Sequence, residues 1–431
     1  MKVLWLINGP SRRAINKLKL SKQNSVGWID LLCDMIADKN DIDICIVFPQ
    51  HKSHKILEYH SQKESYYAYY EDAKPRKKIS QTNVSLFKNI ISEEKPDIIH
   101  IWGTEYSHAL EMMYAFNEPN RTIVSIQGLI SVYAKYYFTG LPRNIVYRYT
   151  FRDLLKRDNI YIQKKKYFLR GKMEKEVLNL AKNVVGRTDW DKAHVLNINP
   201  KIEYFHGGEL LRDDFYKYGD SWKYSEIEPN TIFTSQGWYP IKGLHILIEA
   251  VHIVKKKYPN VKLYVGGGKP YKSGISGKLK QGSYGKYIRT LIKRYRLQDN
   301  VYFTGELDAS QMAEILKNSN VFVMPSTIEN SPNSLSEAMM IGIPCVFSAV
   351  GGIKSVISNE MYKNMYQYDD PVVLASYIEK VFNTCEKGEI NTEHEVKKAY
   401  DNHNPKKVYG EYIKIYNAVY SQAVKAFDNG C

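Results

Sequence analysis

Short, nearly unbroken apolar runs alternate along this chain with longer stretches in which apolar residues recur every three or four positions. A run with no polar face predicts a strand covered on both sides, and the three-to-four spacing predicts the helices that cover it. In the first half, strands are predicted over 3–7, 42–48, 97–102, 122–126 and 183–185. Trp28, Leu31, Leu32 and Ile36 give residues 28–37 one apolar helix face. The second half repeats the theme, with strands predicted over 231–234, 261–265, 301–303, 321–324 and 344–347 and helices over 244–254, 311–317 and 335–341. Residues 216–230, rich in Tyr, Asp, Lys, Ser and Pro, read as a linker, and 406–427 reads as a closing helix. The fold class is therefore α/β, with two doubly wound domains facing across a crevice and ligands at the carboxyl ends of the strands.

Length agrees: 431 residues, at roughly 100–200 per domain, make two or three domains. With 44% hydrophobic and 25% charged residues, a mostly disordered chain is excluded. No apolar run approaches the ~18 residues of a membrane span, and residues 3–7 are shorter than the ~7–15 residue apolar core of a signal peptide. Cys33, Cys45, Cys345, Cys385 and Cys431 form no CxxC pair, so the expectation is a cytoplasmic protein with reduced thiols and no structural zinc. The net charge of +15 favours anionic partners: nucleic acid, a phospholipid surface or phosphorylated small molecules. More than half of it falls between Tyr133 and Arg170, where ten basic residues face only Asp153 and Asp158, interleaved with Tyr and Phe.

The densest chemistry lies in residues 321–347. A strand ends at Pro325-Ser326, a polar loop follows, and Pro332 marks the start of a helix because it lacks an N–H and disfavours helical geometry in Ser331. Asn333, Ser334 and Leu335 would then present free N–H groups at the positive end of a helix, a site for a diphosphate. Glu329 in the loop suits a sugar hydroxyl or a developing cationic carbon, and Glu337, one turn into the helix, suits the two hydroxyls of a ribose.

Glu329, Glu337, Ala338-Met339, Gly342 and Pro344 together resemble the hallmark of glycosyltransferase family 4, retaining enzymes of GT-B fold. The resemblance extends to Lys242-Gly243, where the family's lysine meets the donor diphosphate, to Gly266-Gly267-Gly268, and to Gly305 in the strand-and-glycine loop laid against the base. Ser25-Val26-Gly27-Trp28 resembles the family's first glycine turn at the donor phosphates. His206-Gly207-Gly208-Glu209 resembles the segment that closes its first domain. The resemblance implies an acceptor-binding Rossmann-like domain over 1–216, a nucleotide-sugar domain over 217–405, and a helix over 406–431 that packs back on the first. It implies catalytic roles for Glu329 and Lys242 and donor contacts from Gly27, Gln236, Ser331, Asn333, Ser334, Leu335, Glu337 and Gly305. Neither metal nor other cofactor is implied, so Asp189-Trp190-Asp191 and Asp41-Ile42-Asp43 are not read as metal motifs.

Three departures stand out. Gln236 occupies the stretch where the family carries an arginine, Gln127 stands where it commonly has a histidine near the sugar, and Gly27 is single where two glycines are usual. Arg187 could supply the missing charge or grip an anionic acceptor, or could pair with Asp189 or Asp191. Glu105 and His108 are further candidates on the acceptor side. The implied activity is transfer of a hexose-type sugar from a nucleotide-diphosphate sugar to a glycan or lipid-linked acceptor in bacterial surface polysaccharide synthesis. The basic, aromatic segment adds an anionic membrane surface as a partner, peripheral on the inner face of the cell membrane. A nucleotide-sugar epimerase or hydrolase of the same fold is the alternative. A nucleic-acid-binding protein is a lesser one, since no nucleic-acid motif is present.

Overall fold

The computed structural model describes residues 1–20, 25–39, 42–72, 78–271 and 274–428; Asp41 and Cys431, named above, lie outside them. The chain divides into two compact units. One comprises Met1–Ser131, Phe168–Arg212 and Asn402–Cys431, the other Val132–Tyr167 and Asp213–Asp401.

The first unit is built on an eight-stranded sheet of β1 (Lys2–Leu6), β2 (Asp43–Gln50), β3 (Leu57–His60), β4 (Glu64–Tyr70), β5 (Ile98–Trp102), β6 (Thr122–Ser125), β7 (Asn183–Gly186) and β8 (Glu203–His206). Their order is β3-β4-β2-β1-β5-β6-β7-β8, and every pairing is parallel except β3 with β4. β3, β4 and β8 are absent from the sequence expectation. β4 reads Glu-Ser-Tyr-Tyr-Ala-Tyr-Tyr, polar by composition, yet its first six residues are buried. The buried Tyr67 hydroxyl donates to Glu94 at 2.7 Å, so the polar tip finds a partner while the ring supplies apolar area. The closing helix, Pro405–Asp428, belongs to this unit. Its Tyr416 hydroxyl accepts from Trp5 Nε1 at 2.9 Å and lies 2.8 Å from His100 Nδ1, while His100 Nε2, across the ring, lies 2.7 Å from Ser125 Oγ. All three rings are buried, so the helix is fixed by a satisfied polar chain inside an apolar core.

The second unit holds six parallel strands, β9 (Thr231–Thr234), β10 (Lys262–Val265), β11 (Val301–Phe303), β12 (Val321–Met324), β13 (Cys345–Ser348) and β14 (Met365–Tyr366). The order β11-β10-β9-β12-β13-β14 is the doubly wound arrangement in which the winding direction reverses between β9 and β12. In such sheets ligands bind beyond the carboxyl ends of the two strands at the reversal.

Two expectations change here. The basic segment was assigned to the first domain, but residues 132–167 are part of the second unit. They are held there by long-range polar contacts: Asp153 accepts from Ser283 N at 2.9 Å, Thr327 donates to Tyr136 O at 3.4 Å, and His245 reaches Thr139 O at 3.2 Å. Linear order gave no hint of these. Residues 216–230 are likewise no free linker, for Asp220 N and Trp222 N donate to Met340 O and Ile341 O at 2.8 and 3.0 Å. These carbonyls, at the end of a helix, have no intrahelical partner and take the incoming chain instead.

His245 supplies a test. Its Nε2–H donates to Thr139 O and its Nδ1 lies 3.3 Å from the Tyr284 hydroxyl. Burial lowers its pKa from 6.5 to about 4, the Thr139 carbonyl only partly opposing. A folded pKa below the unfolded one gives stability that is complete above pH 6.5 and is lost as pH falls toward 4. Urea unfolding across that window should show His245→Gln losing less stability with acid than the parent, by up to roughly 3 kcal/mol.

Candidate functional site

At the reversal of the second sheet, the loops after β9 and β12 interlock. Thr327 N donates to Ile241 O at 2.8 Å, and Gly243, with φ +69°, packs so closely that a Cβ would stand 1.7 Å from Pro325 O. Only glycine fits both the left-handed backbone and the contact, which explains the Lys-Gly pair in structural terms. The interlock brings Lys242, at the end of a short turn (Pro240–Lys242), to Glu329, with Nζ 2.6 Å from Oε1. Both side chains are largely buried, at 16% and 9% exposure. Burial works against the Lys242 ammonium, but the Glu329 carboxylate outweighs it and holds the lysine above its ordinary pKa. On its other side Glu329 is fixed through its backbone: its carbonyl accepts from Gly352 N at 3.1 Å, and Gly351 leaves no room for a side chain there. Gly351-Gly352 escaped the sequence reading; a glycine pair just after the apolar run at 344–347 was the available signal.

Four residues past Glu329 the helix Asn333–Ile341 begins, with Pro332 as its N-cap and no side-chain cap. Leu335 N–H, expected to be free, donates to Pro332 O at 3.1 Å, and Ser336 N–H reaches the same oxygen at 3.4 Å. The first turn closes on its own cap, so the open donors are those of Asn333 and Ser334. The buried Asn333 Oδ1 and Ser336 Oγ have no hydrogen-bond partner. Such groups in a folded protein call for a water or a ligand. Glu337 is buried on this helix, one turn after Asn333. Ser331 and Gln236 are half-buried in the two loops, and Gly305, with φ +83°, bridges to Gly267 across the ends of β11 and β10.

The other candidates sit at the carboxyl edge of the first unit's sheet. Gly27 opens the helix Gly27–Lys39 against the Arg212 side chain. The Arg187 guanidinium is paired with Glu209 and donates to Gln127 O at 2.9 Å. The carboxylate shown against it is thus Glu209, from the domain-closing segment. Asp191 instead accepts from the backbone of Arg187 and Thr188 and completes a capping box. His108 is buried between Glu71, at 3.1 Å, and Asn8, at 2.8 Å. Glu105 follows β5, and its buried Oε2 has no partner. Burial raises its pKa, with its own backbone N–H, Arg170 and Asn8 only partly opposing. Among the described residues, no group of three His, Cys, Asp or Glu side chains is placed to hold a metal ion.

Residues 222–398 match the family described as glycosyl transferases group 1. The matched residues contain all six strands of the second sheet and the Lys242–Glu329 pair. The putative glycosyltransferase YtcC of Bacillus subtilis is 24% identical over 244 residues, 53% of this chain and 58% of that one. The putative colanic acid biosynthesis glycosyltransferase WcaL of Escherichia coli is 31% identical over 122 residues, 27% of each chain. The match thus spans 58% of the first relative's length and 27% of the second's, less than two thirds of either. HepE of Anabaena, solved in complex with UDP and glucose, superposes with a TM-score of 0.62 at 14% identity, covering 97% of this chain and 99% of its own. The fold is GT-B, as the sequence resemblance implied.

Within the matched residues the buried ion pair bears on stability. Glu329→Ala should cost about 3–5 kcal/mol in urea unfolding, because a buried ammonium is left unpaired. Replacing both partners, Lys242→Met with Glu329→Leu, should recover most of that loss. Gly243→Ala should unfold more readily than either, since both its backbone angle and the Pro325 carbonyl forbid a side chain.

Proposed function

We propose that the chain is a retaining glycosyltransferase that moves a hexose-type sugar from a nucleotide-diphosphate sugar to a hydroxyl of a glycan or lipid-linked acceptor, without a metal. The observation that carries this is the set of unmet groups at one corner. Two open N–H donors and two orphaned buried oxygens open the helix Asn333–Ile341, four residues from a glutamate locked to a lysine. The donors and the lysine suit a diphosphate, and the oxygens suit hydroxyl or amide protons of the same ligand.

In this reading the diphosphate lies against Asn333 N, Ser334 N and Lys242, and Glu337 accepts from the ribose. Competition by the diphosphate for Lys242 lets the Glu329 carboxylate address the sugar, where charge develops at the anomeric carbon. The anomeric C–O bond to phosphate breaks while the acceptor oxygen bonds from the same face. The acceptor's proton passes to the departing phosphate oxygen. Lys242 and the amides stabilise the charge on that leaving group, and each such donor is typically worth ~3–4 kcal/mol at the transition state. Gln236 is uncharged, so more of this falls on Lys242.

UDP is the leading candidate for the nucleotide, by analogy with HepE, and surface polysaccharide is the leading setting, by analogy with WcaL. Gln127, Glu105 and His108 are proposed for the acceptor side. Arg187 acts there as a holder of Gln127 and Glu209. We place the enzyme in the cytoplasm, peripheral at an anionic membrane surface. Among the described residues no helix is long and apolar enough to cross a membrane.

A thermal-shift panel of UDP, GDP and ADP sugars should show stabilisation by one nucleotide class. With that donor, Glu337→Ala should raise the apparent KM roughly tenfold. Lys242→Ala and Glu329→Gln should lower kcat by about a hundredfold or more. Full activity in all three variants would refute the assignment. Epimerised or hydrolysed sugar formed without acceptor would replace transfer by the alternative chemistry.

A further inference from the structure

A cavity of about 790 Å³, lined by neither Lys242 nor Glu329, opens in the second unit between the short helix Phe151–Lys156 and the start of the helix Ser283–Arg294, with Trp238 and Lys269 on its wall. Its walls are set by Asp153, which is fully buried, closes the capping box of the first helix and accepts from Ser283 N at the start of the second. Four of its apolar lining residues stand open to solvent, Phe151 at 57%, Leu155 at 71%, Leu279 at 51% and Trp238 at 52%. Apolar side chains gathered this way on a soluble surface mark an interaction site.

The charges around the cavity identify what it fits. Its lining includes Arg152, Lys156, Lys269 and Lys280 and no acidic residue. Arg152 is held by Asp153 and Asp158, and Lys269 lies over the Tyr271 ring at 4.6 Å. Lys156 is exposed on the rim, as is Lys280. A second copy of this chain would bring the same positive field and repel. A nucleic acid or an anionic glycan would leave the leucines in water. An occupant with an apolar tail and an anionic head meets both features.

We propose that this groove takes an acyl chain of an anionic phospholipid from the bilayer surface, with the lipid phosphate at Lys156 and Lys280. The site rests on the membrane partner proposed above and gives it a location. It also narrows the basic segment. Lys164 and Lys165 lie over the Phe138 and Tyr161 rings, and Lys166 is paired with Asp158 at 2.5 Å. These three are engaged within the protein, and the lipid contact falls to the rim of the groove.

Flotation of the full chain with phosphatidylglycerol vesicles, against phosphatidylcholine vesicles, tests the site. The intact protein should float with the anionic vesicles only. Leu155→Glu and the pair Lys156→Glu with Lys280→Glu should each reduce bound protein about tenfold. Raised salt should weaken the residual binding of Leu155→Glu and leave little to weaken in the lysine pair. A UDP-sugar thermal shift preserved in each variant shows that it is folded and that the donor reading is unaffected. Intact protein that floats while every variant floats equally well would overturn the groove but not the membrane reading. Intact protein that does not float would overturn both, and the donor shift would still report on the transferase reading separately.

Discussion

Lys242 and Glu329 are 87 positions apart in sequence and share one largely buried salt bridge, and the surrounding chain is arranged to keep it. Taking two such charges out of water costs several kcal/mol each, a loss that mutual attraction repays only when the geometry is held. Here it is held by backbone: Thr327 N on Ile241 O, Gly243 against Pro325 O, and Gly352 N on Glu329 O. Each is a main-chain contact between the loops that follow β9, β12 and β13. The winding reversal of the sheet places the first two of these loops side by side, and the glycines let them close. The acid, the base and the helix start four residues on are therefore positioned by one device.

The carboxyl edge of the first unit is organised differently. Its polar groups largely satisfy one another: Arg187 with Glu209 and Gln127, His108 with Glu71 and Asn8, Asp191 with the backbone before its helix. Such a surface is pre-ordered but spends much of its charge internally, while Glu105 Oε2 and Glu209 Oε1 are buried without a hydrogen-bond partner. The corner at Asn333 and Ser336, by contrast, leaves donors and acceptors open together. Buried polar groups are normally paired, so this corner is one place in the second unit where a water or a ligand would complete the polar accounting.

The basic segment shows how far composition carries and where it stops. Its charge excess is a property of the sequence, but the structure divides that excess among several roles. Asp158 takes Arg152 and Lys166, aromatic rings take Lys164 and Lys165, and Asp153 ties the segment to the helix that begins at Ser283. What remains exposed is a smaller set, Lys135, Arg143, Lys156 and Arg157, the last two following the exposed Leu154 and Leu155.

The sequence by itself determined the α/β class, the second sheet's strands from β9 to β13, and the segment containing Glu329, Pro332 and Glu337. The reason is that these features are local: a strand buried on both faces must be continuously apolar, and a proline before a helix acts on its immediate neighbours. β4 was hidden because tyrosine is polar in composition and apolar in packing. Only the tertiary structure decided that residues 132–167 join the second unit, that Leu335 N–H is already used, that Arg187 answers to Glu209, and that Lys242 meets Glu329. Each depends on which groups compete for one charge or one hydrogen bond, and that competition exists only once distant parts of the chain are brought within about 3 Å of each other.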